Sequence, residues 1–336
     1  MNTLSPPLWL PALLLLCGPL HALELGTCTT KTGGIHRWIT QPATLAPWQR
    51  TVLVARITGS IRALHVDLGD QVKAGDVLIE LEVPEWEAQL IKAEAELVAS
   101  SQDLERLTQT RAKSPDLILP QELENARARQ AAANAQLKAL QAQLEFAKIK
   151  APFNGVITRR MVDLGALAAA QTTQLLEVSQ LDPLRLCIPV PELEAGRATL
   201  GKPVRIIGDA GLPWVGEPEY KISRSAQQLD SETRTLLVQA DVPNPGLKRL
   251  PGSYVLAQVA VEYHEGVTLA PQAALIMEKT QGVVFAHEQG KARRVPVKLG
   301  FQDGSAVELP ELPAGKVLLL PEGKALVDGA EVNLKP

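Results

Sequence analysis

Gly59-Ser60-Ile61, Val66-Asp67-Leu68-Gly69 and Leu78-Ile79-Glu80-Leu81 return later in the chain as Gly155-Val156-Ile157, Val162-Asp163-Leu164-Gly165 and Leu175-Leu176-Glu177-Val178. In both copies the first glycine and the glycine of the Val-Asp-Leu-Gly tetrapeptide stand ten positions apart. Self-similarity of this kind fixes architecture before any single element does. Val72, Val77, Ile79 and Leu81 alternate with polar residues, the pattern of half-buried strands. Gly69-Asp70 and Gly75-Asp76 each supply a turn, because glycine tolerates positive φ and aspartate binds its own backbone. The reading is two halves of one small β domain.

Between the halves lies an Ala/Leu/Glu/Gln/Lys-rich run. Pro84 opens it, with Glu85 and Glu87 placed to complement a helix N-terminus. Apolar or small residues then recur at Trp86, Leu90, Ala93, Leu97, Ser100, Leu104 and Leu107. Ser114-Pro115 stops the helix, because proline cannot continue it, and Pro120-Gln121-Glu122 starts a second. That one has its own seam at Leu123, Ala126, Gln130, Ala133, Leu137, Leu140, Leu144 and Ala147. The remaining positions are rich in Glu, Gln, Lys and Arg, so each helix has one narrow apolar stripe and water elsewhere. An antiparallel coiled-coil hairpin over 84–148 is expected, with arms of about 28 residues reaching roughly 40 Å.

The flanks are β-rich. Residues 23–55 are polar at first and become a strand-like run ending in Val52 to Ile57, a segment that should pair with something distant in sequence. After Asp182 short strands separated by Pro and Gly are expected, among them Leu184–Ile188, Val204–Ile207, Leu236–Ala240 and Val255–Val261, with a short helix over Glu192–Leu200. This suggests a small barrel or sandwich over 181–262. A further Pro/Gly-punctuated β region follows over 263–336. The fold class is therefore multidomain α+β, mainly β: half domains at 56–83 and 149–180, the hairpin between them, and two more β modules.

The chain has 46% apolar and 21% charged residues, which favours globular folding. A net charge of −3 and only 4% aromatics argue against nucleic acid as a partner. Leu8 to Leu20 is apolar but short of the roughly 20 residues that span a bilayer. Leu20-His21-Ala22 resembles a cleavage site, so residues 1–22 are expected to be a removed signal peptide. Leu16 before Cys17 fits a lipidated cysteine poorly, which places a lipid anchor second. After such cleavage Cys28 and Cys187 remain, and two free buried thiols are expected rather than a bridge.

No catalytic constellation emerges. His21, His36, His65, His264 and His287 are scattered without metal-ligand spacing. Gly315-Lys316 lacks the upstream glycine of a phosphate loop. Methionines number only 3, which removes a soft-ligand set.

The split motif with its hairpin resembles the periplasmic adaptor subunits (membrane fusion proteins, HlyD-like) of tripartite resistance–nodulation–division efflux pumps. Gly69 to Leu78 looks like the first half of that family's lipoyl-like domain, and Ile149 to Ile157, with Pro152 and Gly155, like the second. Asp230 with Thr233-Arg234-Thr235, Val242 to Pro245 and Leu250-Pro251-Gly252 resemble its barrel. Pro271 to Leu275, Gly300 and Asp328-Gly329 resemble its membrane-proximal β module, which the 23–55 segment would join. The resemblance runs in consistent order over about residues 50–336.

It implies a non-enzymatic adaptor in the periplasm, associated with the inner membrane. Its partners would be an inner-membrane efflux transporter, an outer-membrane channel and further copies of itself in a ring, a trimer or hexamer. No cofactor is expected, because the turn that carries a modified lysine in lipoyl and biotinyl domains is replaced by the insertion at Val83-Pro84. Gly59, Gly69, Asp70, Gly75, Pro152, Gly155 and Gly165 are then structural turns. Channel contact would fall to the hairpin tip, at Arg106, Thr110, Leu117, Ile118 and Leu119. The family places Arg, Leu and Ser at fixed spacing there. Starting from Arg106, Thr110 takes the Leu position and Leu117 the Ser position, a departure that bears on which channel is met. The alternatives are an adaptor of an ABC-type or type I secretion exporter, and a periplasmic ligand-binding protein.

Overall fold

A computed structural model describes residues 23–114, 118–209, 218–278 and 281–335. The expected signal peptide and the tip residue Leu117 lie outside the described residues. The described residues form two compact units, one drawn from 41–191 and 205–257, the other from 23–40, 192–204 and 258–335.

In the first of these the two motif copies interlock. Strand Gly59–Leu64 pairs antiparallel with Val77–Glu82, and Gly155–Arg160 pairs antiparallel with Gln174–Pro191. The short third strand of each copy crosses to the other. Val72 lies opposite Gly155, and Ala168 opposite Gly59. Backbone bonds repeat the exchange: the Gly69 N–H donates to the Ile157 carbonyl at 2.9 Å, and the Gly165 N–H to the Ile61 carbonyl at 2.9 Å. Neither half can close its own β layer. The shared core is fully buried at Leu78, Ile79, Ile157, Leu175, Leu176 and Val178, and at about 25 cal/mol per Å² its burial is the main stabilising term.

The glycines of the repeat serve two different needs. At Gly59 a Cβ would stand 2.6 Å from the Glu82 carbonyl oxygen, and at Gly155 2.7 Å from that of Ser179, so close backbone approach excludes any side chain. Gly69 and Gly165 meet open space but hold φ of 90° and 81°, which L-residues avoid.

Helix α1 (Pro84–Lys113) and helix α2 (Pro120–Leu144) leave this domain at Val83 and return to it at Lys148. Both begin on proline, and α1 carries Glu85 and Glu87 in its first turn and Arg111 and Lys113 in its last, matching its dipole. The side chains withdrawn from water include Ala93, Leu123, Ala126 and Leu140, while Leu90, Leu97, Leu104, Leu107, Ala133 and Leu137 are half-buried. Gln130 Nε2 donates to Ser101 Oγ at 3.2 Å across the pair. Alanine at the closest positions allows the two backbones to approach.

The same unit continues into a second β layer. Here the expected short strand Leu184–Ile188 is corrected: one 18-residue strand, Gln174–Pro191, runs through from the repeat. It pairs with Thr235–Val242 on one side and with residues 44–54 on the other. Pro189 and Pro191 do not break it because they lie beyond Cys187, the last residue paired on the second side, where a missing N–H costs little. Strand Tyr254–Pro271 likewise runs on through the expected boundary at 262/263.

In the other unit, Leu23–Thr29 pairs antiparallel with Val317–Leu320 and parallel with Val332–Leu334. The N-terminal segment thus has two sequence-distant partners, these strands for Leu23–Thr29 and residues 174–187 for its later run over 44–54. Gln281–Glu288 and Lys291–Val297 form a hairpin beside them. Phe285, Leu318, Leu319 and Leu309 fill this unit's interior. The short helix there spans only Glu192–Ala195, less than the expected Glu192–Leu200, with Gly196 and Gly201 ending its helical potential.

Candidate functional site: the apex of the helix pair

The two helices bring four of the five expected tip residues to their connected ends. Arg106 is largely exposed and pairs within α1 with Asp103, whose other oxygen faces Arg129 of α2 at 3.9 Å. Such surface pairs contribute little stability, about 0–1 kcal/mol. Thr110 lies in the last turn of α1, its carbonyl accepting the N–H of the C-cap residue Ser114 at 2.8 Å. Leu119, at the start of α2, is 65% exposed, and Ile118 is half-buried beside it. An exposed leucine and an exposed arginine at the end of a two-helix projection suit contact with another helical surface.

The remaining predicted residues fall elsewhere. Gly59, Gly69, Asp70, Gly75, Gly155 and Gly165 form the turns and close approaches of the interlocked domain. The Asp70 carboxylate accepts the Asp67 N–H at 2.7 Å, and Asn154, between Pro152 and Gly155, accepts the Ala74 N–H at 2.8 Å. Thr233, Arg234 and Thr235 occupy a separate β-turn. There Asp230 accepts the backbone N–H groups of Glu232 and Thr233, each at 2.9 Å, and those bonds hold its carboxyl below the usual aspartate range. Arg234 has φ of 53° and donates its N–H to the Asp230 carbonyl. Pro251-Gly252 forms a third turn, with the Gly252 N–H bound to the Leu45 carbonyl at 2.6 Å.

Nothing in these turns arranges a nucleophile, a base and an oxyanion donor. Among the described residues no group of three His, Cys, Asp or Glu side chains is placed to hold a metal ion. His264 stacks on Phe301 and contacts the buried Glu308 at 3.1 Å, a packed histidine. Cys28 and Cys187 are free, half-buried thiols, and burial pushes both up. No described helix is long and apolar enough to cross a membrane.

Residues that the sequence reading missed are Arg160 and Gln171. Arg160 contacts Asp67 at 3.1 Å and Asp163 at 2.6 Å, tying together the aspartates of the two Val-Asp-Leu-Gly copies. Its signal lay in the repeat itself, since the first copy has Leu64 where the second has Arg160.

Residues 49–180 match the family model of the CzcB-like, barrel-sandwich hybrid domain. The chain is 26% identical to Multidrug resistance protein MdtA of Salmonella heidelberg (strain SL476), over 94% of this chain and 81% of that protein. It is equally 26% identical to MdtA of Escherichia coli O45:K1, over 94% and 80%. Among solved structures, a MacA-MexA chimeric protein containing the Pseudomonas aeruginosa MexA alpha-hairpin domain superposes with a TM-score of 0.65. Its identity is 20%, covering 72% of this chain and 87% of that one. The membrane fusion protein Spr0693 from Streptococcus pneumoniae R6 gives a TM-score of 0.54 at 15% identity, covering 67% of this chain and 99% of its own.

Fold and likenesses point the same way: the chain is similar over most of its length to Multidrug resistance protein MdtA and shares the fold of the membrane fusion protein Spr0693. The chain's interlocked β domain is the barrel-sandwich hybrid domain of the CzcB-like kind.

Proposed function

We propose that this chain is the periplasmic adaptor of a resistance–nodulation–division efflux system, linking an inner-membrane transporter to an outer-membrane channel for export of small molecules. The observation that carries the reading is the insertion of an exposed helix pair between two interlocked halves of a barrel-sandwich hybrid domain. The relatives' name, a multidrug resistance protein, supports the same direction. The domain holds both helix roots, at Val83 and Lys148, in one rigid core and so aims the apex. No catalytic step is required of the adaptor.

In this reading the lipoyl-like core, the coiled-coil hairpin, the barrel over 181–262 and the membrane-proximal module over 263–336 have distinct roles. The two β modules face the transporter and the hairpin faces the channel. Copies of the chain assemble into a ring, a trimer or hexamer. Arg106, Thr110, Ile118 and Leu119, with Leu117 between them in sequence, form the channel contact.

The test is a full-length variant lacking Ser114–Pro120, expressed with its cognate transporter. Loss of drug or metal-ion resistance and of channel co-purification, at unchanged protein level and folding, is expected. Unchanged resistance and unchanged assembly would overturn the assignment.

A further inference from the structure

In strand Gln174–Pro191 the residues Leu184, Leu186, Ile188 and Val190 are all fully buried, so Arg185 and Cys187 lie on the opposite, outward face. The register sets Ala46 on one side of Arg185 and Asp241 on the other. One strand further out, Arg224 lies opposite Gln239. Trp48 spans this row: the Arg185 guanidinium carbon is 4.8 Å from its ring centre and that of Arg224 is 4.6 Å.

Two guanidiniums thus share one indole, and the carboxylate of the row, Asp241, is committed. Asp241 lies directly across from Arg185, yet its oxygen takes the terminal nitrogen of Arg224. Arg224 Nε donates to Gln239 Oε1 at 3.1 Å. Arg185 is left with the indole and no acceptor among the described residues; its Nε is buried and without a hydrogen-bond partner. Leaving a buried donor unsatisfied costs about 1–3 kcal/mol, more when it is charged, and a guanidinium presents its donors as a rigid fork suited to a planar, two-oxygen acceptor. The surplus positive charge is felt locally. Burial raises the Cys187 thiol, while the Gln239 bond and the charges of Arg185 and Arg224 act against that rise.

We propose that the outward face formed by Arg185, Trp48 and Arg224 is a carboxylate-binding site, with Arg185 the principal donor, Trp48 the wall and Arg224 the second cation. One carboxylate group balances the two arginines and Asp241. The source is a small organic acid or an acidic side chain of a partner protein. The site lies apart from the helix apex and is independent of the channel contact.

The experiment follows tryptophan emission of the full-length protein during titration with potassium succinate and with an acetylated tetraglutamate peptide, against potassium chloride at matched ionic strength. A saturable change is expected with either carboxylate and not with chloride, and it should vanish in Trp48→Phe. Arg185→Gln should weaken binding at least tenfold, the worth of one charge-assisted bond pair at about 1.4 kcal/mol per tenfold. Asp241→Asn, which releases Arg224, should tighten it, a gain that misfolding cannot mimic. A response tenfold stronger to the peptide than to succinate assigns the source to a partner's side chain; comparable affinities assign it to a small acid. A response shared by chloride, or undiminished in Arg185→Gln and unimproved in Asp241→Asn, overturns the site.

Discussion

Gln171 holds the left-handed backbone conformation, φ 64°, that Gly75 holds at the equivalent place in the first motif copy, φ 91°. The equivalence extends to bonding. The Gly75 N–H donates to the Ala151 carbonyl at 2.8 Å, and the Gln171 N–H to the Ala55 carbonyl at 2.7 Å. The interlocked domain therefore forces the same turn on both copies, although only one carries the residue suited to it. The left-handed form costs an L-residue about 1–2 kcal/mol, and glycine returns about 0.5–1 kcal/mol of that through its freer unfolded chain. Gln171→Gly should stabilise the domain by about 0.5–1 kcal/mol, and Gly75→Gln should destabilise it by a similar amount. The midpoint of urea unfolding checks both.

A second contrast separates the two kinds of glycine. Gly69→Ala adds its methyl to open space and meets only the backbone penalty, about 1 kcal/mol. Gly59→Ala and Gly155→Ala drive a Cβ into carbonyl oxygens at 2.6 and 2.7 Å. Strands would have to part, so each should cost about 2–3 kcal/mol or more. Equal losses in all three variants, measured by chemical denaturation, would show that close approach is not what these glycines serve.

The helix pair depends on small residues at its seam. Ala126 is 1% exposed. Ala126→Leu keeps helix propensity high but overpacks the contact, with an expected loss of about 1–3 kcal/mol. Thermal unfolding followed at a helical circular-dichroism band should shift downward, whereas an exposed Glu124→Leu change should leave it within about 0.5 kcal/mol.

Acid sensitivity should centre on Glu194. Arg37 donates to its two oxygens at 2.9 and 2.7 Å, and those hydrogen bonds hold the Glu194 carboxyl below the usual glutamate range. A depressed folded value means that the stabilisation is complete above the unfolded value, near pH 4.3. It is lost as pH falls through the lower folded value. Arg37→Met should reduce stability at neutral pH by about 1–2 kcal/mol and flatten the decline below the ordinary glutamate range. Parallel pH–stability curves for both proteins would contradict the pairing.

Much of the architecture was legible because it rests on short-range signals. Pro84, Ser114 and Pro120 mark the helix ends, and the Trp86-to-Leu107 spacing marks the seam, all from steric and periodic rules that operate within a few residues. The interlock was not legible. That Val72 faces Gly155 and Ala168 faces Gly59 depends on strand partners far apart in sequence, and nothing local distinguishes a closed half from an exchanged one. Pro189 and Pro191 misled for a related reason, since whether a strand tolerates proline depends on which of its sides is paired. Of the apex, the positions Arg106 and Leu119 could be read from their place between two helices, but the tie of Asp103 to Arg129 of the other arm required the packed pair. The row of Arg185, Trp48 and Arg224 left no trace in sequence, because it assembles from three strands.

The exchanged strands also bear on the order in which the chain acquires structure. Gly59 and Ala168 must meet across a long stretch of sequence, and the entropy of closing a flexible loop rises with its length. Most of the stretch is helix-forming, however, and α1 and α2 pack on each other through contacts made among near neighbours in sequence. Once that hairpin has zipped, Val83 and Lys148 are already side by side, so the effective loop shrinks to the few residues outside the helices. The helical insertion thereby also delivers the second half of the domain to the first, converting a slow long-range search into a short one.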